Sequence, residues 1–256
     1  MKIVGFLRTT LVAITLIFSF SELLSQRSIL RSQEVYSQNG RYCVTVTGHY
    51  YEGFVGDQKI CLMDMDNHDT LWVQSVPRRF LILPSVSNNG DVAITRREIQ
   101  VFDKKGRIKG VMSLKPNESP FAGEDYENTV QGFSPAADRY YIFTRSPDNY
   151  SDVVLVSLSD SAKEIWRKDI GVYKPQEILL YGDKIITHDC GYAGIDYTNF
   201  CYIFDRNGNT VWQHQTDCRR PSDCNVRLDR EHGRLILKDR STETEVKLDS
   251  LDYHKH

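Results

Sequence analysis

The side chains able to do chemistry are scattered along this sequence. His188-Asp189-Cys190 sets a base, a carboxylate and a thiol side by side, with no partner constellation elsewhere. Asp64-Met65-Asp66-Asn67-His68-Asp69 has the oxygen-rich spacing of a calcium loop. Such a loop also needs a glycine at its sharp turn and a distal glutamate, and neither is in place. Asn and Asp equally suit a hairpin turn, which is the reading adopted. Glu118, Glu124, Asp125 and Glu177 could supply a carboxylate pair for glycoside hydrolysis, which works at separations of about 5–10 Å. No spacing marks any two of them as a pair. The HKH tail, His254 to His256, reads as a frayed terminus. There is no G-x-S-x-G, H-E-x-x-H, P-loop or dinucleotide fingerprint. No catalytic residue, metal ligand or cofactor is assigned.

Elements that could hold such residues follow from the rest of the chain. Its 256 residues are 40% hydrophobic and 26% charged, with a formal charge of -2, the balance of an ordinary globular domain. No Lys/Arg-rich run supports a nucleic-acid partner. Lys2 and Arg8 precede an uncharged apolar stretch, Leu11 to Phe20, with small residues at Ser19, Ser21 and Ser25. That is the order of a secretory signal, and the stretch is short of the ~20 residues a membrane span needs. Residues 1–25 are therefore expected to be a signal peptide and the protein secreted, extracellular or periplasmic. Membrane attachment arises only if this segment stays uncleaved.

The remainder is expected to form one all-β domain, residues 26–253, built from a repeated four-stranded unit. NGRYCVTVTG, NGDVAITRREIQVFDKKGRIKG, ADRYYIFTRS, YGDKIITHDC and HGRLILKDRSTETEVKLD open successive copies. Their leading turn residues, Gly40, Gly90, Asp138, Gly182 and Gly233, are 50, 48, 44 and 51 apart, the length of a propeller blade. Cys61 to Trp72, Leu155 to Trp166 and Cys201 to Trp212 are each 11 apart. Short strands rich in Val, Ile, Tyr, Phe and Thr between Gly, Asn and Asp turns form small sheets that must stack on neighbours to bury both faces. The fold class is all-β, a small β-propeller of five blades at about 36–76, 80–113, 129–170, 176–215 and 224–249. The segment 27–35 is expected to supply the innermost strand of the first blade, and its beginning is a candidate to complete the last blade and so close the ring.

YIFDRNGNTVWQHQ and IQVFDKKGRIKG resemble the third and fourth strands of quinoprotein-type, pyrroloquinoline-quinone-like repeats, with an aromatic-Asp-x-x-Gly turn before a Trp-bearing strand. The resemblance covers most of residues 36–250. It implies the propeller fold. The vicinal disulfide and cation-ligand cluster of the quinone enzymes have no match, so it implies no cofactor and no catalytic residue.

An even count of six cysteines in an exported chain points to disulfides. Fifteen pairings are possible, and the blade arrangement favours three local bridges: Cys43–Cys61, Cys190–Cys201 and Cys218–Cys224. The same arrangement gathers long loops on one face, where they carry Tyr50, Tyr51, Arg78, Arg79, Tyr126, Tyr150, Tyr192 and Tyr197. The opposite face is left with tight turns. Tyrosine offers apolar area and a hydroxyl, which suits glycans or peptides. The expected function is an exported binding or scaffold module for a glycan, peptide or protein. The alternative is a propeller-type enzyme, such as a glycoside hydrolase with carboxylates at the central channel.

Overall fold

The computed structural model describes residues 29–51, 54–76, 83–95, 98–120, 131–146, 148, 152–172, 175–189, 200–215, 225–238 and 242–251. They form five antiparallel sheets in chain order. The first comprises β1 (Ile29–Tyr36), β2 (Tyr42–Tyr51), β3 (Phe54–Asp64) and β4 (Asp69–Val76). The second holds β5 (Leu83–Val86), β6 (Val92–Thr95), β7 (Glu98–Phe102) and β8 (Ile108–Ser113). The third is β10 (Gln131–Phe133), β11 (Arg139–Arg145), β12 (Asp152–Ser159) and β13 (Glu164–Val172), with the short β9 (Ser119–Pro120) on β11. The fourth is β14 (Pro175–Tyr181), β15 (Lys184–Asp189), β16 (Phe200–Phe204) and β17 (Thr210–Gln215). The fifth has three described strands, β18 (Asn225–Asp229), β19 (Arg234–Lys238) and β20 (Glu243–Lys247). The segment ahead of the first leading turn is thus the innermost strand of the first sheet.

The sheets stack like blades, and the second, third and fourth bury both faces against their neighbours. On β11, Tyr140 and Ile142 face the second sheet, packing with Ala93, Ile99 and Val101. Their neighbours Tyr141 and Phe143 face the fourth, packing with Ile178, Leu180, Ile185 and Phe204. A strand buried on both sides reads as a continuous apolar run, as RYYIF does. A third cluster joins Val44, Val46, Ile60 and Leu62 of the first sheet to Val86, Val92, Ile94 and Phe102 of the second. A fourth joins Ile186, Cys201 and Ile203 to Leu235, Leu237 and Val246 of the fifth. The other face of the fifth sheet carries Arg227, Arg234 and Glu245, with Arg227 and Glu245 exposed. Stacked four-stranded antiparallel sheets of this kind make the chain a β-propeller.

The recurrent spacings have a structural cause. Between the first two strands of each sheet the turn residue has positive φ: Gly40 (71°), Gly90 (83°), Ala137 (58°), Gly182 (56°) and Gly233 (59°). In the third copy this residue is Ala137, one before the expected Asp138. The hairpin between strands three and four also repeats. Asp103 accepts backbone N–H bonds from Lys105 and Arg107, and Asp205 accepts them from Asn207 and Asn209. A β-bulge follows in all four of these hairpins, between Leu62/Met63, Val101/Phe102, Ser157/Leu158 and Ile203/Phe204. The extra residue re-aims the fourth strand. It turns Trp72 onto Gly106 of the second sheet and Trp166 onto Gly208 of the fourth. A Cβ at either glycine would lie 3.1 Å from the indole. Where the second sheet lacks a tryptophan, Gly110 lets the Ser161 carbonyl approach its backbone, and a Cβ there would be 1.8 Å from that oxygen.

Candidate functional site

The two ends of the sheets differ in kind. At one end lie turns of two to five residues. They are cross-linked: the Asn39 backbone N–H donates to Asn88 Oδ1 (2.9 Å), and Asn88 Nδ2 donates to the Pro135 carbonyl (2.9 Å). At the other end lie the longer connections, at 77–82, 121–130, 190–199 and 216–224, together with 52–53 and 147–151. The loops assigned to one face from the sequence lie almost wholly outside the described residues. Tyr50 and Tyr51 close β2 opposite Val55 and Phe54, at the tip of the β2–β3 hairpin. Arg78, Arg79, Tyr126, Tyr150, Tyr192 and Tyr197 lie outside the described residues, as do Glu124 and Asp125.

The two described candidate carboxylates belong to different sheets and are occupied. Glu118 sits buried beside the second-to-third sheet interface. Its Oε1 accepts from Thr144 Oγ1 (2.6 Å) and Arg167 Nη1 (3.0 Å), and its Oε2 accepts from the Lys115 backbone (2.9 Å). Glu177 belongs to a row across the fourth sheet. It pairs in register with His188, with Oε1 3.1 Å from Nε2, and His188 stands opposite Cys201, itself opposite His214. Cys201 is fully buried in the apolar cluster against the fifth sheet, which suits a packing role rather than a nucleophile's. The row was not visible in the sequence, because it depends on the register of three hairpins. No group of three potential metal ligands occurs among the described residues. Asp64–Asp69 is the turn between β3 and β4, with Asp64 Oδ1 accepting from the Asp66 backbone (3.1 Å) and His68 at φ 57°.

One bridge of the disulfide scheme, Cys43–Cys61, needs correction. No disulfide joins the described cysteines, Cys43, Cys61 and Cys201. Cys43 stands opposite Met63 and Cys61 opposite Thr45, so the two are diagonal on one face of the first sheet. Diagonal residues are about 7–8 Å apart, beyond the Cβ separation a disulfide bridges. Burial pushes the Cys43 thiol up from its ordinary value, with hydrogen bonds from Tyr36 and Thr45 opposing. Cys190, Cys218 and Cys224 lie outside the described residues.

The turn end is also less plain than expected. A pocket of about 340 Å³ opens there between the first two sheets, lined by Arg41, Tyr42, Asp64, Leu71, Lys104 and Lys105. Arg41 bridges Asp64 (3.2 Å) and Asp66 (3.3 Å) and lies over the Tyr42 ring at 5.2 Å. Turn residues gave no sequence signal for a cavity, since it arises from two sheets meeting.

No family model and no curated protein matches the sequence. Solved structures do resemble the fold. An acylaminoacyl peptidase from Pyrococcus horikoshii aligns over 88% of this chain and 39% of its own, with TM-score 0.55 and 12% identity. The β-propeller domain of the Trilobed protease from Pyrococcus furiosus, described as having an open velcro topology, aligns over 87% and 72%, with TM-score 0.50 and 11% identity. BamB from Moraxella catarrhalis aligns over 83% and 62%, with TM-score 0.48 and 13% identity. The chain thus spans two-fifths of the peptidase and about three-fifths of BamB. At such identities the likeness establishes one thing, that the chain has a β-propeller fold.

Proposed function

We propose that this protein is an exported binding or scaffold module that recognises a glycan, peptide or protein through the loop-rich end of a five-bladed propeller of the quinoprotein-repeat type. One observation carries the reading: the difference between the two ends of the stack. Turns of two to five residues, those of the first three sheets bonded to each other, rigidify one end. Every long connection is delivered to the other, and variable loops on a rigid scaffold are the usual site of recognition. The sequence places Tyr50, Tyr51, Tyr126, Tyr150, Tyr192, Tyr197, Arg78 and Arg79 in or beside those connections. The carboxylates proposed for hydrolysis do not favour the enzymatic alternative. Glu118 is committed to Arg167 and Thr144, and Glu177 to His188.

The test is a screen of the protein without residues 1–25 on glycan and peptide arrays, repeated with Tyr51→Ala and Tyr192→Ala. The proposal expects at least one ligand class whose binding falls about tenfold in one of the variants, the loss of roughly 1.4 kcal/mol. Binding unchanged in both would refute the face assignment. Export is tested separately, by N-terminal sequencing of the protein from the extracellular or periplasmic fraction. Cleavage near Ser21 or Ser25 is expected, and an intact Met1 would count against it.

A further inference from the structure

The junctions between neighbouring sheets share one plan at the turn end, so their charges can be compared position by position. The residue before strand two faces the residue that follows the clamping Asp or Ser of the next sheet's outer hairpin turn (Asp103, Ser159 or Asp205). Between the third and fourth sheets these are Asp138 and Arg206, which form an ion pair. Around them, Arg139, Arg206, Asp138 and Asp183 all act on the Tyr141 hydroxyl, two charges of each sign. Between the second and third sheets, Asp91 and Asp160 would repel. Lys109, at the place held by Leu71 in the first sheet, lies between them with Nζ 2.8 Å from each. Both junctions pair opposite charges across the sheets with the chain's own side chains.

The junction between the first and second sheets does not. Arg41 stands where the third sheet has Asp138, and Lys104 where the fourth has Arg206. Leu71 supplies no counter-charge. Arg41 is answered by Asp64 and Asp66, both of its own sheet. Lys104 and Lys105 have no ion-pair or hydrogen-bond partner for their ammonium groups among the described residues. These two lysines ride on a turn that Asp103 clamps through two backbone N–H bonds and that Gly106 seats against Trp72. The turn backbone that carries them is therefore held in fixed relation to the first sheet, with both lysine side chains exposed. Beside them the Trp72 indole N–H is buried without an acceptor, whereas Trp166 Nε1 donates to the Arg206 carbonyl (2.8 Å).

We propose that the pocket between the first and second sheets binds a tetrahedral oxyanion, a phosphate or sulfate group. Lys104 and Lys105 neutralise it from one wall, and Arg41, whose Nη2 and Nε are held by Asp64 and Asp66, offers its remaining Nη1 from the other. Tyr42 and Leu71 give an apolar flank to whatever carries the group, in a cavity of about 340 Å³. This site is at the turn end and does not depend on the loop-rich face.

Isothermal titration calorimetry on the protein without residues 1–25, at low ionic strength, tests it with four probes: inorganic phosphate, inorganic sulfate, phenyl phosphate and phenyl sulfate. Binding that weakens about tenfold in Lys104→Ala and in Lys105→Ala is expected, as for loss of a charge-assisted hydrogen bond. Lys104→Glu recreates the acid–base pairing of the third and fourth sheets. It should abolish binding while leaving the melting temperature equal or higher. Phenyl esters binding tighter than the free ions would identify an esterified ligand, and equal binding a free ion. No heat with any probe, or affinities unchanged in both alanine variants, would overturn the proposal. Circular dichroism melting of each variant shows that it is folded.

Discussion

Trp72 and Trp166 occupy the same place in two copies of one repeat, yet they lock their neighbours differently. Each indole covers a positive-φ glycine of the next sheet's turn, Gly106 (77°) or Gly208 (85°). Trp166 adds a hydrogen bond to the Arg206 carbonyl, and next to it Lys168 Nζ donates to the Gly208 carbonyl (2.9 Å) and lies 5.0 Å from the Phe204 ring centroid. Trp72 makes only its ring contacts, including one to Phe102 at 5.9 Å between centroids, and its N–H is left over. The third-to-fourth junction is thus closed by apolar contact, hydrogen bonds and the Asp138–Arg206 pair. The first-to-second junction is closed by apolar contact and the Asn39–Asn88 hydrogen bonds, has no cross-sheet ion pair among the described residues, and keeps a pocket with two lysines on one wall. One sequence pattern has produced a fastening in one place and an opening in another.

Removing the indoles should break the comparison hardest. Trp166→Ala is expected to cost about 3–5 kcal/mol in urea unfolding, and Trp72→Ala about 1 kcal/mol less, the worth of one net hydrogen bond. Equal costs would mean that the Arg206 bond contributes nothing. Gly110→Ala should cost about 3 kcal/mol, because its Cβ overlaps a backbone oxygen that cannot rotate away. Phenylalanine at the tryptophan positions is subtler. Trp166→Phe should lose about 1 kcal/mol and leave the Arg206 carbonyl short of a donor. Trp72→Phe should lose nothing, since it deletes a buried donor that has no acceptor.

The smallest effect lies in the fifth sheet, on the face that has no described apolar partner. There His232 and Arg234 hydrogen-bond Asp229 and hold its carboxyl down at about 2. A lowered carboxylate stabilises the fold above its ordinary range near 4 and loses that contribution as pH falls toward 2. Asp229→Asn should flatten the acid limb of the melting-temperature profile slightly, and an unchanged limb would show that the pair is screened at this exposed face.

Much of this architecture was legible because it repeats. The 11-residue interval before Trp72, Trp166 and Trp212 records a strand, a hairpin and a bulge, and it pointed to the fold before the bulge itself could be seen. The positive-φ turns showed as Gly40, Gly90, Gly182 and Gly233, while the third hid behind Ala137. Pairing Cys43 with Cys61 failed for lack of register: the correct strands were named, but a two-residue offset puts the thiols on a diagonal. The Glu177–His188–Cys201 row and the Arg41–Lys104 pocket were invisible for the same reason. Both join residues whose neighbourhood is set by pairing between strands or packing between sheets, and neither leaves a local pattern.

The claim that recognition belongs to the loop end rather than the turn end is tested most directly by one array experiment. Wild type, the Tyr51→Ala/Tyr192→Ala double variant and Lys104→Glu are scored against the same glycans and peptides, with ligands bearing phosphate or sulfate scored apart. For ligands without those groups, binding should be lost in the tyrosine variant and kept by Lys104→Glu. Retention in the tyrosine variant with loss in Lys104→Glu would contradict the account.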